Sequence, residues 1–178
     1  MLALAKQLLA LGKAKLPEKA SELEIMLAEY DLVGELKKDC IPKVFIEATD
    51  ECPALAEYVR FAGESGGILA YAYLGDVTQS VTGDKKAQKF EDDYLDELFE
   101  IIVAAGVRAV TYMPTRNTQA QIERLRNLCE RYDMLQISGE DINSPRQKFT
   151  IDKMREEQFS NLIDSTWKLI EHENGIKE

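Results

Sequence analysis

Histidine is almost absent from this chain, since His172 is the one histidine among 178 residues. It lies in the polar segment Glu171-His172-Glu173-Asn174, and its charged neighbours predict a solvated surface position. Imidazole is the commonest metal ligand among protein side chains and the usual acid-base group near neutral pH. The chain by itself therefore lacks the side chains for a metal site built on several histidines.

Cysteine is also scarce, and its spacing argues against two kinds of site. Cys40, Cys52 and Cys129 are odd in number and widely separated, and no Cys-x-x-Cys pair occurs. This pattern is unlike a zinc site or a disulfide framework. We expect three reduced thiols that have a structural role at most.

Positive charge is in short supply: 22 Lys and Arg stand against 32 Asp and Glu, a net charge of −10. No stripe of basic residues alternates with aromatics, so the chain would on average repel a phosphate backbone. We therefore expect no nucleic-acid partner.

Long hydrophobic runs are missing too. The longest apolar stretch, from Ile101 to Val110, is interrupted by Gly106 and Arg108 and is too short to span a bilayer. The N-terminus has neither the basic region nor the small-residue cleavage site of a signal peptide. These features predict no membrane partner and a cytoplasmic location.

The residues that are present alternate between helical and extended patterns. Residues 1–39 predict a helical hairpin, with a second helix that begins either near Pro17 or at the Ser21-x-x-Glu24 capping box. The predicted buried side of that helix consists of Leu23, Met26, Leu27 and Tyr30. The run from Val44 to Ala48 fits either a short strand or an extended connector.

Residues 40–178 predict an α/β domain. Three apolar runs, 68–74, 107–113 and 134–138, read as strands, and amphipathic segments follow each of them. The Thr118-x-x-Gln121 pattern predicts the start of one of these helices. The first run is apolar on both faces, as in a parallel strand covered by helices. The order βαβαβα therefore predicts a parallel sheet flanked by helices, with right-handed crossovers.

In such a sheet, function collects where the strands end, and polar side chains follow all three predicted strands. Asp76, Glu140 and Asp141 offer hard oxygen ligands for a divalent cation. Arg116 and Arg146 offer guanidinium groups that pair with phosphate. This set predicts phosphoester cleavage or binding. The alternative is that the acids make turns and caps and that the arginines form ordinary surface ion pairs.

Two strand-end segments carry a family resemblance: Gly66-Gly67-Ile68-Leu69-Ala70-Tyr71-Ala72-Tyr73-Leu74 and Ser138-Gly139-Glu140-Asp141-Ile142-Asn143-Ser144. The first is similar to the Gly-Gly-Ile, three apolar residues, Ala-His-Pro strand of the PHP (polymerase and histidinol phosphatase) metal-dependent phosphoesterases. The second resembles that family's Gly-Gly-Ser-Asp-Phe-His-Gly. The strand and helix between them, and the helical hairpin upstream, also look like PHP elements. The resemblance implies the later part of a TIM-like barrel.

The resemblance also shows what this chain lacks. Tyr73 and Asn143 occupy positions where the family has histidine, and Leu74 replaces the family's proline. The family's first half, with its His-x-His pair, has no counterpart. The parent family uses divalent metal ions to activate water, but we expect this chain to hold none firmly, with Asp141, Glu140 and Asp76 as weak ligands at most.

Two explanations of these absences remain open. The chain is either a part of a longer barrel or a complete protein that has lost those strands. Because three or four parallel strands cannot close a barrel, we expect a missing N-terminal segment or a homo-oligomer to cover the sheet edge.

The resemblance therefore implies part of a PHP-type phosphoesterase that is inactive as this chain alone. The alternative is a non-catalytic PHP-like module that binds a phosphorylated small molecule or a protein partner, and a pure scaffold is the third reading. The sequence leaves the substrate, the metal, the oligomeric state and the biological process open.

Overall fold

The computed structural model describes residues 2–13, 16, 19–40, 43–44, 47, 49, 51–77, 88–142 and 145–175. The chain divides into two compact units. One comprises Met1–Cys52 together with Ile142–Phe149, and the other comprises Pro53–Asp141 together with Thr150–Glu178. No helix in the described ranges is both long and apolar enough to cross a membrane.

The first unit contains two helices, α1 (Leu2–Ala10) and α2 (Glu22–Cys40), which pack against each other. The predicted capping box forms at the start of α2, where Ser21 Oγ accepts from the Glu24 N–H at 3.3 Å and the Glu24 carboxylate accepts from the Ser21 N–H at 2.8 Å. The predicted hairpin is therefore present as two packed helices.

The predicted burial along α2 is wrong in part. Leu23 is 57% exposed and Met26 is 46% exposed, whereas Leu27 and Tyr30 are half-buried. Helical spacing identifies an apolar face but does not supply a neighbour that covers it. Most of the predicted extended run 44–48 lies outside the described residues.

The second unit is the α/β unit, and its elements follow one another as the apolar runs predicted. They are α3 (Leu55–Ser65), β1 (Ala70–Ala72), α4 (Leu95–Ala105), β2 (Ala109–Tyr112), α5 (Gln119–Arg131), β3 (Leu135–Ser138) and α6 (Ser160–Glu173). The strands form a parallel sheet in the order β1-β2-β3. The mixed α/β class and the parallel sheet are confirmed. The sheet is open in the described structure, and the partial barrel stays a prediction.

Local signals explain where the helices begin and end. The capping box predicted at the start of α5 forms between Thr118 and Gln121. Both α3 and α4 end at a glycine in the left-handed conformation, Gly66 at φ 71° and Gly106 at φ 102°. Glycine adopts this conformation without the clash that a Cβ would cause, so each helix stops there and the chain turns into the next strand.

One face of the sheet carries the core. Side chains alternate along a strand, and the register pairs Tyr71 with Val110. These two residues, with Tyr73 and Tyr112, therefore point to the same side, where α4, α5 and α6 cover them. Side chains from these helices and the adjoining turn complete the cluster, among them Phe99, Ile122, Leu125, Phe159 and Leu162.

The opposite face of the sheet carries smaller or less buried side chains. Ala70 and Ala109 pair across β1 and β2, as do Ala72 and Thr111. Ala72 is exposed and Thr111 is half-buried, although Ala109 is fully buried. The covered face thus provides most of the hydrophobic stabilisation of this unit.

Candidate functional site

The three strands are parallel, so their carboxyl ends meet at one edge of the sheet, which we call the rim. The rim consists of the segments after β1, β2 and β3: residues 73–77, 113–117 and 139–141. All three segments belong to the α/β unit. Most of the candidate residues that the sequence indicated lie here.

Asp92, just before α4, contacts the rim through several hydrogen bonds, although sequence reasoning missed it. Its carboxylate accepts hydrogen bonds from the Tyr73 hydroxyl at 2.6 Å, the Gln121 amide at 2.7 Å and the Asp76 N–H at 3.0 Å. Burial by itself would raise the pKa of Asp92, but bonds from Gln121, Tyr73 and Asp76 hold that pKa below its ordinary value. The ionised carboxylate therefore stabilises the chain that follows β1.

Glu91 has a similar role beside it. This side chain is buried, and one of its oxygens accepts from the Tyr71 hydroxyl at 3.0 Å and from the Leu74 N–H at 2.7 Å. Burial first, and then the neighbouring carboxylates, raise the pKa values of Tyr71 and Tyr73 above the ordinary tyrosine value. Two consecutive acids thus hold the end of β1 through two tyrosines.

Asp76, a predicted metal ligand, makes its own backbone contact. Its Oδ1 accepts from the Phe90 N–H at 2.7 Å, and its Oδ2 lies 3.9 Å from the Lys89 ammonium. Val77 and Gln88 pair next to it as an antiparallel bridge. Asp76 therefore closes the base of the excursion between β1 and α4.

Asn117, which is buried, ties the first two rim segments together. Its amide oxygen accepts from the Met113 N–H at 2.8 Å, and its amide nitrogen donates to the Leu74 carbonyl at 2.8 Å. An amide fits this position because it offers a donor and an acceptor at once. The ends of β1 and β2 are thereby held in a set spacing.

Glu140, the second predicted metal ligand, ties the second and third rim segments. Its two carboxylate oxygens accept from the Thr115 N–H at 2.7 Å and from the Thr115 hydroxyl at 2.5 Å. Asp141, the third predicted ligand, is exposed. Asn143 lies outside the described residues.

The two candidate arginines have different surroundings. Arg146 belongs to the first unit, where its guanidinium forms two hydrogen bonds of 2.7 Å with the Asp31 carboxylate, and this contact raises the pKa of Arg146. Arg116 belongs to the rim, and its guanidinium carbon lies 5.6 Å from the centre of the Phe90 ring. The Nη2 of Arg116 is buried and has no hydrogen-bond partner in the described structure.

A divalent metal is the cofactor that the PHP resemblance implies, and the rim residues do not fit it. Tyr73, at a position where the family has histidine, is 1% exposed and donates its hydroxyl to Asp92. Glu140 and Asp76 both accept backbone hydrogen bonds. Among the described residues, no three His, Cys, Asp or Glu side chains are grouped so that they could hold an ion.

Comparisons of this chain with protein-family models, with curated proteins and with solved structures found no match. The resemblance to the PHP phosphoesterases therefore stays a prediction from the two strand-end segments.

Proposed function

We propose that this chain is a PHP-like module that binds a phosphorylated small molecule at the rim and does not hydrolyse it by itself. The observation that carries the proposal is the buried, unpartnered Nη2 of Arg116 at the end of β2. A buried donor without a partner costs roughly 1–3 kcal/mol. A ligand oxygen that accepts from this group, after the atoms that cover it move aside, would recover part of that energy.

Phosphate suits Arg116 for two reasons. A guanidinium presents its N–H groups in a planar fork that matches two phosphate oxygens. Asp92 and Glu140 accept hydrogen bonds from Tyr73 and Thr115, and neither forms an ion pair with Arg116 within 4 Å in the described structure. The guanidinium charge is thus available to an anion.

The same bonds argue against hydrolysis by this chain. A metal-activated water needs a firmly held ion, and Asp76 and Glu140 each already use a carboxylate oxygen to accept a backbone N–H group. Tyr73 would also have to leave the core. Binding without turnover is the function that these contacts support.

The second face of the sheet is consistent with descent from a barrel. Small side chains such as Ala70 and Ala72 lie on the face that a closed barrel would turn inward. Each of the outer strands, β1 and β3, pairs with β2 alone within the described structure. An additional segment or a second copy of the chain would cover these edges.

Titration of the ¹⁵N-labelled chain with inorganic phosphate tests the proposal. We expect saturable amide shifts at residues 113–117 with a dissociation constant of roughly 1 mM, because the contact is partly exposed and the net charge is −10. Arg116→Lys keeps the charge but loses the fork, so it should weaken binding about tenfold. Arg60→Gln, which removes an exposed arginine on α3, is the matched control and should change nothing.

The absence of turnover needs a separate assay. With Mn²⁺ or Zn²⁺ present, hydrolysis of p-nitrophenyl phosphate should stay at background. Metal-dependent turnover that disappears in Asp141→Asn would show that the chain is an enzyme. Phosphate shifts that persist unchanged in Arg116→Lys would remove the binding proposal.

A further inference from the structure

A cavity of about 420 Å³ lies at the end of the sheet opposite the rim. Arg108, which precedes β2, and Leu135, which begins β3, line it together with one side of α6. The volume falls in the range of about 300–1,000 Å³ that is typical of small-molecule sites. All of its lining residues belong to the α/β unit, and the rim uses none of them.

The orientation of Gln136 in this cavity follows from its neighbours. Arg126 donates to the Tyr112 hydroxyl at 3.3 Å and to the Asn161 amide oxygen at 3.0 Å. Tyr112 and Asn161 consequently act as donors to the Gln136 amide oxygen, each at 3.1 Å. The Gln136 nitrogen then keeps both of its N–H groups for a further acceptor, since it makes no bond within the described structure.

Helix α6 supplies a second uncommitted group. Ser165 is buried, with 7% of its surface exposed, and lines the cavity. Its hydroxyl makes no hydrogen bond among the described residues, whereas the neighbouring Thr166 hydroxyl donates to the Leu162 carbonyl at 2.8 Å. Arg116 Nη2 is the one fully buried side-chain atom without a partner among the described residues, so the Ser165 hydroxyl is open to the cavity and can bond with water or a ligand there.

The charged residues that line the cavity are two cations and two anions. Lys168 and Arg108 contribute positive charge, and Asp133 and Asp164 contribute negative charge. No ion pair within 4 Å joins any of these four side chains to a described residue. A ligand with a single charge would be repelled by the two side chains of the same sign. A ligand that carries both charges would find a side chain of opposite sign for each of them.

Asp133 adds an observation from the backbone. It has a positive φ of 50° at the end of α5, where a Cβ is strained. Four other helices end at glycines with positive φ, namely Gly12, Gly66, Gly106 and Gly175. An acidic residue is also unfavourable at a helix C-terminus. Aspartate is one of the few non-glycine residues that adopt this conformation, so Asp133 can end α5 and also present a carboxylate to the cavity.

We propose that this cavity binds a zwitterionic α-amino acid. Asp133 and Asp164 receive the ammonium group, and Lys168, the Gln136 amide and the Ser165 hydroxyl donate to the carboxylate. The ammonium group of the ligand thus binds acceptors, and its carboxylate binds donors. The site is independent of the rim and of phosphate.

The test is a titration of the full ¹⁵N-labelled chain with L-alanine, L-leucine and L-glutamine. We expect at least one of them to shift the Gln136 side-chain amide saturably, with a dissociation constant of roughly 1 mM. Acetate and ethylammonium, which each carry one of the two charges, should bind at least about tenfold more weakly.

Two variants separate binding from folding. Asp133→Gly should weaken amino-acid binding about tenfold while leaving thermal stability unchanged or higher, because glycine relieves the strained backbone. Glu171→Gln, on α6 but outside the cavity, is the control and should bind as the parent chain does. Three results would each overturn the proposal: no shift at Gln136 up to about 50 mM amino acid, equal binding of acetate, or full affinity in Asp133→Gly.

Discussion

Removal of one oxygen from Tyr73 isolates the contribution of the rim network to stability. Tyr73→Phe keeps the buried ring in the core and deletes the hydroxyl that donates to Asp92 at 2.6 Å. Hydrogen bonds to charged groups contribute about 1.5–3 kcal/mol, and Asp92 keeps its other donors. We expect a loss of about 2 kcal/mol in the free energy of unfolding of the α/β unit.

Tyr94→Phe is the matched control, since Tyr94 lies two residues beyond Asp92 and is 50% exposed. The Tyr94 hydroxyl makes no hydrogen bond in the described structure. Its removal should change the free energy of unfolding by less than about 0.5 kcal/mol. The free energy of unfolding of both variants is measured by urea unfolding followed by circular dichroism. The fluorescence of the single tryptophan, Trp167, is a second probe within the unit.

The pH dependence provides a second check. The pKa of Asp92 is lowered in the folded chain, so its stabilisation is present above the unfolded pKa and is lost as the pH falls through the folded pKa. The deficit of Tyr73→Phe should therefore be largest near pH 7 and should shrink below about pH 4, as the carboxylate becomes protonated. A deficit equal to that of Tyr94→Phe, or one that is unchanged in acid, would refute the assigned role of Asp92.

Glycine substitutions and cysteine modification test the backbone conformation and the burial of side chains in the same unit. Gly75→Ala should destabilise it by about 2–4 kcal/mol, because Gly75 has a φ of 69° and a Cβ there would lie 2.8 Å from the Asn117 amide nitrogen. Gly63→Ala, at an open position in the last turn of α3, should instead stabilise the unit by about 0.5 kcal/mol. Cys129 is buried, and desolvation raises the pKa of its thiol to about 12. Iodoacetamide at pH 8 should therefore modify the exposed Cys52 first and Cys129 only on unfolding. Equal rates of modification would contradict the buried position of Cys129.

The rim explains why acidic residues after the strands were ambiguous in the sequence. Asp76 and Glu140 look like metal ligands when they are considered by residue type alone. In the folded chain both accept backbone N–H groups, from Phe90 and from Thr115. A carboxylate serves equally well as a ligand or as a cap for backbone donors, and the distinction depends on which donors the fold brings to it.

Local signals in the sequence determined much of the architecture. Capping boxes at Ser21 and Thr118 predicted helix starts that the structure confirms, and glycines at 66 and 106 end α3 and α4. The alternation of apolar runs predicted three parallel strands in one sheet. These features depend on residues within one or two turns of each other, so their physics is contained in a short segment.

Tertiary structure alone decided the connections between distant segments. Asp92 meets Tyr73 across 19 positions, and Arg146 pairs with Asp31 across 115. The free amide of Gln136 follows from contacts that span four elements, β2, α5, β3 and α6. Such pairings depend on how the chain brings segments together, and residue type at one position does not specify a partner so far away. The sequence by itself therefore determined the elements and their order. The packing of those elements decided which polar groups have hydrogen-bond partners within the chain and which remain for a ligand.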